Sequence, residues 1–439
     1  MKSRNLLIAA VLLAALSGVV WWTKRHPETA TTTTTPAAPK LADIPSGQIK
    51  EIDLAKKGGA TLTLERQNGK WEITSPDKLP ADQDAASTLA GALSPVTADS
   101  VIEDNPSDVS KYGLNAPTLT VTVHETNGKS DQLYFGDDVP AGSLVYTRVG
   151  SDRKVYAISS ATKTSLDKTA NDLRDKRLLT FNSNQLTRIE LVSAKSDLEF
   201  GKNNQNDWQI LKPQPYRADS FEVEELLRKL TDAKMDLSGS AEDAKKAAGA
   251  YASGQPIATA KVTDAAGTQS LEVRKNKDDY CGKSSVVAGF FKLSSDLGKA
   301  LEKPPEDFRN KKIFDFGFND LTKFEIQQGG SDKTYVRSGS DWKLNGKTMD
   351  PGSVQALIDK LRDLAASKFV TSGFTNAMLA VSVTWSDGKR TDKAEFAKNT
   401  DGYIARRSNE PALYQLTNKS VDDILDASNA IKPTASSKK

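Results

Sequence analysis

Alternating apolar and polar residues recur along the chain at three places with the same register. Residues 49–54 read IKEIDL, 186–191 read LTRIEL and 321–326 read LTKFEI. The period of two is that of a strand with one face buried. A hairpin follows the first of these. Leu62 and Leu64 alternate with threonines, Asn68-Gly69 turns the chain, and Trp71 and Ile73 return. Asn-Gly suits such a turn because both residues tolerate positive φ. The returning tryptophan recurs as Trp71, Trp208 and Trp342. Its alternation with polar neighbours predicts one large core residue per unit rather than a ligand platform.

The period then changes. Ala86, Leu89, Ala90 and Leu93 follow an i, i+3, i+4, i+7 spacing, as do Val223, Leu226, Leu227 and Leu230, and Val354, Leu357, Ile358 and Leu361. Each set predicts a helix with one apolar stripe. Asp82, Asp219 and Asp350 stand four residues ahead of these sets, with Pro351 after the third. An aspartate N-cap accepts unpaired backbone N–H groups, and proline loses nothing at the first helical position. Capping explains the three aspartates better than metal ligation.

Strand patterns return after each helix. Leu119, Val121 and Val123 alternate ahead of Asn127-Gly128, and Leu379, Val381 and Val383 ahead of Asp387-Gly388. Ala258, Ala260 and Val262 give a weaker version ahead of Gly267. Further strands are predicted at 132–135, 144–149, 155–158, 290–293 and 413–416, and closing helices at 296–301 and 421–427. The predicted fold class is α+β. After one N-terminal transmembrane helix come three tandem repeats, each an antiparallel sheet with helices packed on one face.

The junctions make the duplication explicit. Residues 172–191 read DLRDKRLLTFNSNQLTRIEL and residues 307–326 read DFRNKKIFDFGFNDLTKFEI, aligning without a gap. Such self-similarity marks a repeat. The expected organisation is a membrane anchor over 1–26, a Thr/Pro-rich tether over 27–45, repeats over 46–182, 183–317 and 318–431, and a polar, frayed tail over 432–439. The anchor reading rests on residues 6–22, which carry no charge. Lys2 and Arg4 precede them, and they end in Trp21-Trp22 ahead of Lys24-Arg25. A helix of about 17 residues spans roughly 25 Å, enough for a bilayer with snorkelling ends. The competing reading is a cleaved signal peptide, for which two tryptophans make a poor cleavage context. Residues 27–40, PETATTTTTPAAPK, show no apolar period.

Composition narrows the function classes. The 439 residues hold 60 basic and 57 acidic side chains, a net charge of +3. This near balance gives no sign of a nucleic-acid partner. Two histidines and one cysteine rule out a Cys/His metal site and an intrachain disulfide. His124 aligns with Thr263 and Thr384 on a polar strand face, and a solvent-facing role suits it better than general-base chemistry. Cys281 has no counterpart and reads as a buried or semi-buried thiol. Acidic stretches at 136–138, 276–279 and 399–402 do not match a calcium loop and read as turns. Nucleotide-binding, nucleophile-elbow and zinc-protease motifs are absent. No catalytic residue, cofactor or metal is expected. The repeated basic cluster, Arg174, Lys176 and Arg177 with Arg309, Lys311 and Lys312, is the candidate partner-docking feature. Solvation or pairing with Asp172, Asp175 and Asp307 is its plainer explanation.

Lys111, Tyr112, Gly113, Leu114, Asn115, Ala116 and Pro117, with Phe135, Gly136, Asp137, Val155, Tyr156 and the stretch LRDKRLLTF from Leu173, form a further pattern. It resembles the bacterial domain of unknown function 4340 family. The resemblance is fullest in the first repeat, because the other two lack the YGL motif. It implies a membrane-anchored envelope protein, often encoded beside ABC-transporter permeases of the gliding-auxiliary type, with no established catalytic residues.

The expected function is therefore a non-enzymatic, membrane-anchored extracytoplasmic binding or accessory protein. It would sit in the bacterial inner membrane by a single pass, with its bulk in the periplasm and an ABC transporter permease as partner. The alternatives are a cell-envelope hydrolase and a structural spacer.

Overall fold

The computed structural model describes residues 38–140, 142–194, 196–237 and 241–435. The expected anchor and the first part of the tether lie outside them. Among the described residues, no helix is long and apolar enough to cross a membrane. The chain divides into two compact units, Met1–Asp175 and Lys176–Lys439. The first holds one copy of the repeat and the second holds two.

Each copy is built on one antiparallel sheet, of nine, eight and nine strands in turn. The three recurring strands, Ile49–Lys56, Arg188–Val192 and Leu321–Gln328, lie in mid-sheet. On one side each pairs with its hairpin partner, and on the other with the strand after the helix. The alternation then sorts the faces. Ile52 and Leu54 are buried with the helix stripe of copy one, while Glu51 and Asp53 point the other way. Trp71, Trp208 and Trp342 are core residues in all three copies.

The helices Gln83–Gly91, Ser220–Thr231 and Pro351–Asp363 start where expected. Asp82, Asp219 and Asp350 each accept first-turn backbone N–H groups. All four stripe residues are buried in copies one and three, and Leu227 in copy two is partly so.

The ends of the copies share one closure. The N–H of Asp82 donates to the Leu173 carbonyl, that of Asp219 to Phe308 and that of Asp350 to Lys432, each at 2.8 Å. Thr434 also donates to the Thr348 carbonyl at 3.0 Å, and Met349 pairs with Pro433. Residues 432–434, expected to fray, thus do in copy three what the junction segments do in the others.

The structure departs from the sequence reading in four further ways. Residues 40–45, read as tether, belong to the fold: Lys40–Ala42 is a strand paired with Val96–Thr97, and Leu41 and Ile44 are buried. Copy two carries an unexpected helix, Ala241–Ser253. That helix also breaks the one-face rule. Its Tyr251 stacks on Arg274 and joins Glu272, whose strand neighbours Leu271 and Val273 face the main core. Finally, Ser100–Glu103 and Lys368–Val370 form edge strands where no pattern predicted them.

Candidate functional site

The second unit concentrates its buried charge where copies two and three meet. Arg217 ends the short edge strand Tyr216–Arg217 of copy two, immediately before the capped helix. Its guanidinium reaches into copy three, with which residues 312–316 are counted because Ile313, Phe314 and Phe316 pack in that copy's core. Nη1 donates to both Asp315 oxygens at 2.6 Å, Nε to Glu410 at 2.9 Å, and Nη2 to the Lys312 carbonyl at 2.5 Å and the Tyr414 hydroxyl at 2.9 Å. Arg407 lies behind it. Its Nη2 donates to Asp392 at 2.6 Å and to Asp315 at 3.3 Å, and its Nη1 to the Ile313 carbonyl. Tyr414 donates to Glu410 at 2.7 Å, and the Asp315 N–H to Asp392 at 2.8 Å.

These side chains are well shielded: Arg217 is 13% exposed, Arg407 8% and Glu410 6%. Two guanidinium groups face three carboxylates, so attraction must offset a large desolvation penalty. The titration shifts follow from that contest. Burial raises the Asp392 carboxyl above its ordinary value, although Arg407 pulls the other way. Burial also raises the Tyr414 hydroxyl. For Arg217 burial disfavours the charge, but Asp315, Tyr414 and Glu410 outweigh it and the guanidinium is held more firmly protonated than usual.

Copy two holds a neutral version of part of this network. The Thr180 N–H donates to Gln269 at 2.7 Å, as Asp315 does to Asp392, and Ser284 donates to the Leu178 carbonyl at 2.5 Å, as Arg407 does to Ile313. Copy three has exchanged glutamine for aspartate and serine for arginine around the same backbone anchor. The position of Arg217 is held by Pro80 in copy one and Thr348 in copy three.

Beside the network opens a cleft of about 740 Å³. Trp208, Tyr216 and Phe221 line it from copy two, and Trp385, Lys389 and Arg390 from copy three. Phe221 is 73% exposed. Asn203, Gln205, Gln209 and Asn409 add amide groups. A second tie spans the walls: Arg390 pairs with Asp207 at 3.1 Å and donates to the Gln205 carbonyl at 3.4 Å. Aromatic faces with amide and charged groups can hold a polar ligand or peptide by stacking and hydrogen bonding.

The expected docking residues fall into different places. Arg309 is half-buried, its guanidinium between the rings of Tyr216 at 3.9 Å and Phe369 at 3.5 Å. Lys312 is exposed at the cleft, and its Nζ donates to the Arg362 carbonyl at 3.1 Å. The Lys311 carbonyl accepts from Ala366, and that of Lys176 from Met235. Arg174 pairs with Ala81 in the first unit, and Arg177 with Lys234 in the second. The repeated basic motif is therefore a seam whose backbone ties segments together, with Arg309 and Lys312 near the cleft. His124 lies half-buried on the outer face of the first sheet. Cys281 is buried in the strand Asp279–Ser284, and burial raises its thiol. Residues 276–279 and 399–402 are hairpin turns, and 136–138 finish a strand. Arg217 shows only in the structure, because one arginine beside a tyrosine carries no sequence pattern.

Residues 71–247 and 208–380 match the family described as Domain of unknown function (DUF4340). The chain belongs to this family. Each DUF4340 match begins at a recurring tryptophan, Trp71 or Trp208, and runs across a junction into the next copy. The YGL motif of copy one is structural in this DUF4340 member. Gly113 has φ +69, and a Cβ there would lie 2.5 Å from the Asp137 carboxylate. A Cβ on Gly136 would lie 2.1 Å from the Tyr112 carbonyl oxygen. The two glycines let the loop lie flat on the sheet, where Lys111 and Tyr112 both donate to Glu103. No curated protein matches the chain. Among solved structures, a DNA polymerase sliding clamp from Pseudomonas aeruginosa aligns at 7% identity over 86% of this chain and 93% of that one. Its TM-score of 0.18 carries no argument about fold or function.

Proposed function

We propose that this DUF4340 chain is a non-enzymatic, membrane-anchored extracytoplasmic binding or accessory protein of an ABC-type transport system. Residues 6–22 would hold it in the bacterial inner membrane by a single pass, with the two units in the periplasm. The observation that carries this reading is the cleft of the second unit. Its walls are tied by Arg217 and Arg390, and Arg407 braces the copy-three side; the charges of all three are spent on fixed carboxylates. Groups so committed suit a preorganised binding surface better than proton transfer. The exposed ring of Phe221 and the amides beside it supply the contacts a partner segment would use. The permease as partner rests on the family resemblance.

The test is crosslinking of the full-length protein in cells, followed by mass spectrometry. Recovery of a transporter permease, reduced in Phe221→Ala, is the expected result. Recovery without a permease turns the reading toward a spacer, and an unchanged permease yield in Phe221→Ala removes the cleft from it. Turnover of an envelope polymer by the purified protein overturns the non-enzymatic assignment.

A further inference from the structure

The mid-sheet strand of copy one differs from its two counterparts in charge. In copy two Arg188 and Glu190 pair along the strand at 3.2 Å, and in copy three Lys323 and Glu325 at 3.1 Å. The neighbouring strand places Thr263 opposite Arg188 and Thr384 opposite Lys323. In copy one the basic residue is replaced by Glu51, the acidic position holds Asp53, and the threonine is replaced by His124. Two carboxylates thus share one face two residues apart, where like charges repel. Among the described residues, His124 is the ion-pair partner of both.

The three side chains converge. His124 Nε2 lies 3.3 Å from Asp53 Oδ2 and 3.7 Å from Glu51 Oε1, and the three donor atoms all lie within 4.8 Å of one another. Ligands on a tetrahedral ion at about 2.0–2.1 Å stand about 3.3 Å apart, so the triangle needs only small side-chain rotations to close. Thr63 Oγ1 donates to Asp53 Oδ1 at 2.5 Å, which leaves Oδ2 turned toward the imidazole. A hydrogen bond to the remote oxygen of a ligating carboxylate is the usual outer support of a metal site. Calcium wants six to eight oxygens, which this sheet face does not offer. Imidazole nitrogen with carboxylate oxygen suits zinc and its neighbours.

We propose that Glu51, Asp53 and His124 form a site for a divalent transition-metal ion of the zinc class, with a fourth coordination position open to solvent. The site belongs to copy one alone and is separate from the cleft in the second unit.

The experiment is a zinc titration of the purified full-length chain in detergent against a chromophoric chelator, with cobalt absorption as a second readout. The expected result is one zinc per chain. His124→Asn and Asp53→Asn abolish uptake, and Thr63→Val weakens it roughly tenfold. Thr263→Ala, the matching position in copy two, changes nothing. All four side chains lie on the sheet surface, and an unchanged circular-dichroism spectrum verifies the fold. Absence of stoichiometric zinc in the native chain overturns the proposal, as does equal uptake by the His124 and Asp53 variants.

Discussion

Arg217 and Asp315, 98 residues apart in sequence, are joined by two hydrogen bonds of 2.6 Å that pin copy two to copy three. Truncating a shielded partner leaves the opposite charges buried and uncompensated. Arg217→Ala is therefore expected to destabilise the second unit by about 3–5 kcal/mol. Lys246→Ala, at an exposed pair with Asp243 in the same unit, should stay within about 1 kcal/mol. Urea unfolding of the two variants, followed by tryptophan fluorescence, measures the difference.

Asp264 and Asp392 act in opposite directions on the acid limb of stability. Asp264 accepts N–H groups from Asn182 at 2.7 Å and Ala266 at 2.8 Å, and these hold its carboxyl below the ordinary 3.8. Its contribution is present above pH 3.8 and disappears as pH falls through its folded value. Asp392, raised by burial, has the opposite sign. Its contribution is full below its unfolded value and is lost as pH rises through the folded one. Asp264→Asn should be clearly less stable than the native chain near neutrality, and the gap should close on acidification below pH 3.8. Urea midpoints across the acid range show whether it does.

Gly136→Ala is expected to cost about 1–3 kcal/mol or more. The added methyl meets the carbonyl oxygen of Tyr112, which cannot swing aside as a side chain would. Gly69→Ala is the comparison. It is strained by φ +79, but its Cβ meets nothing within 4 Å. Denaturant titration of both variants separates the effect of crowding from that of backbone conformation.

Cys281 is the only thiol of the chain, 2% exposed, and burial raises its pKa with the Asp279 charge adding to the effect. Native protein should react with a thiol reagent only as fast as the strand Asp279–Ser284 opens, and at once in urea. Fast labelling under native conditions would place that strand among the unstable parts of copy two.

The duplication was legible because the junctions preserve Asp, Arg, Lys, Phe and Leu in place. The positions between them that swap one apolar residue for another do the same work twice: Leu173 and Phe308 accept from the capping aspartates, and Leu178 and Ile313 take bonds from the sheet. The caps and apolar stripes were equally readable, since both follow from local helix geometry. What sequence hid depends on tertiary contact. The helix Ala241–Ser253 reads AEDAKKAAGAYAS, too poor in large apolar residues to show a stripe, and it docks through Tyr251 on an outer sheet face. Residues 40–45 look like more tether until Leu41 and Ile44 find the core. His124 lies 71 residues from Asp53, and only strand register brings them together.

The shared closure bears on how such an array could lengthen. Within the second unit, the segment around residues 308–313 completes copy two through Phe308 and opens copy three through Ile313, whose N–H donates to the Leu364 carbonyl. Removing it would leave both neighbours with unpaired backbone groups. Residues 432–434 fill the finishing half of that role for copy three. A further copy could thus be spliced between existing ones in the phase of these segments.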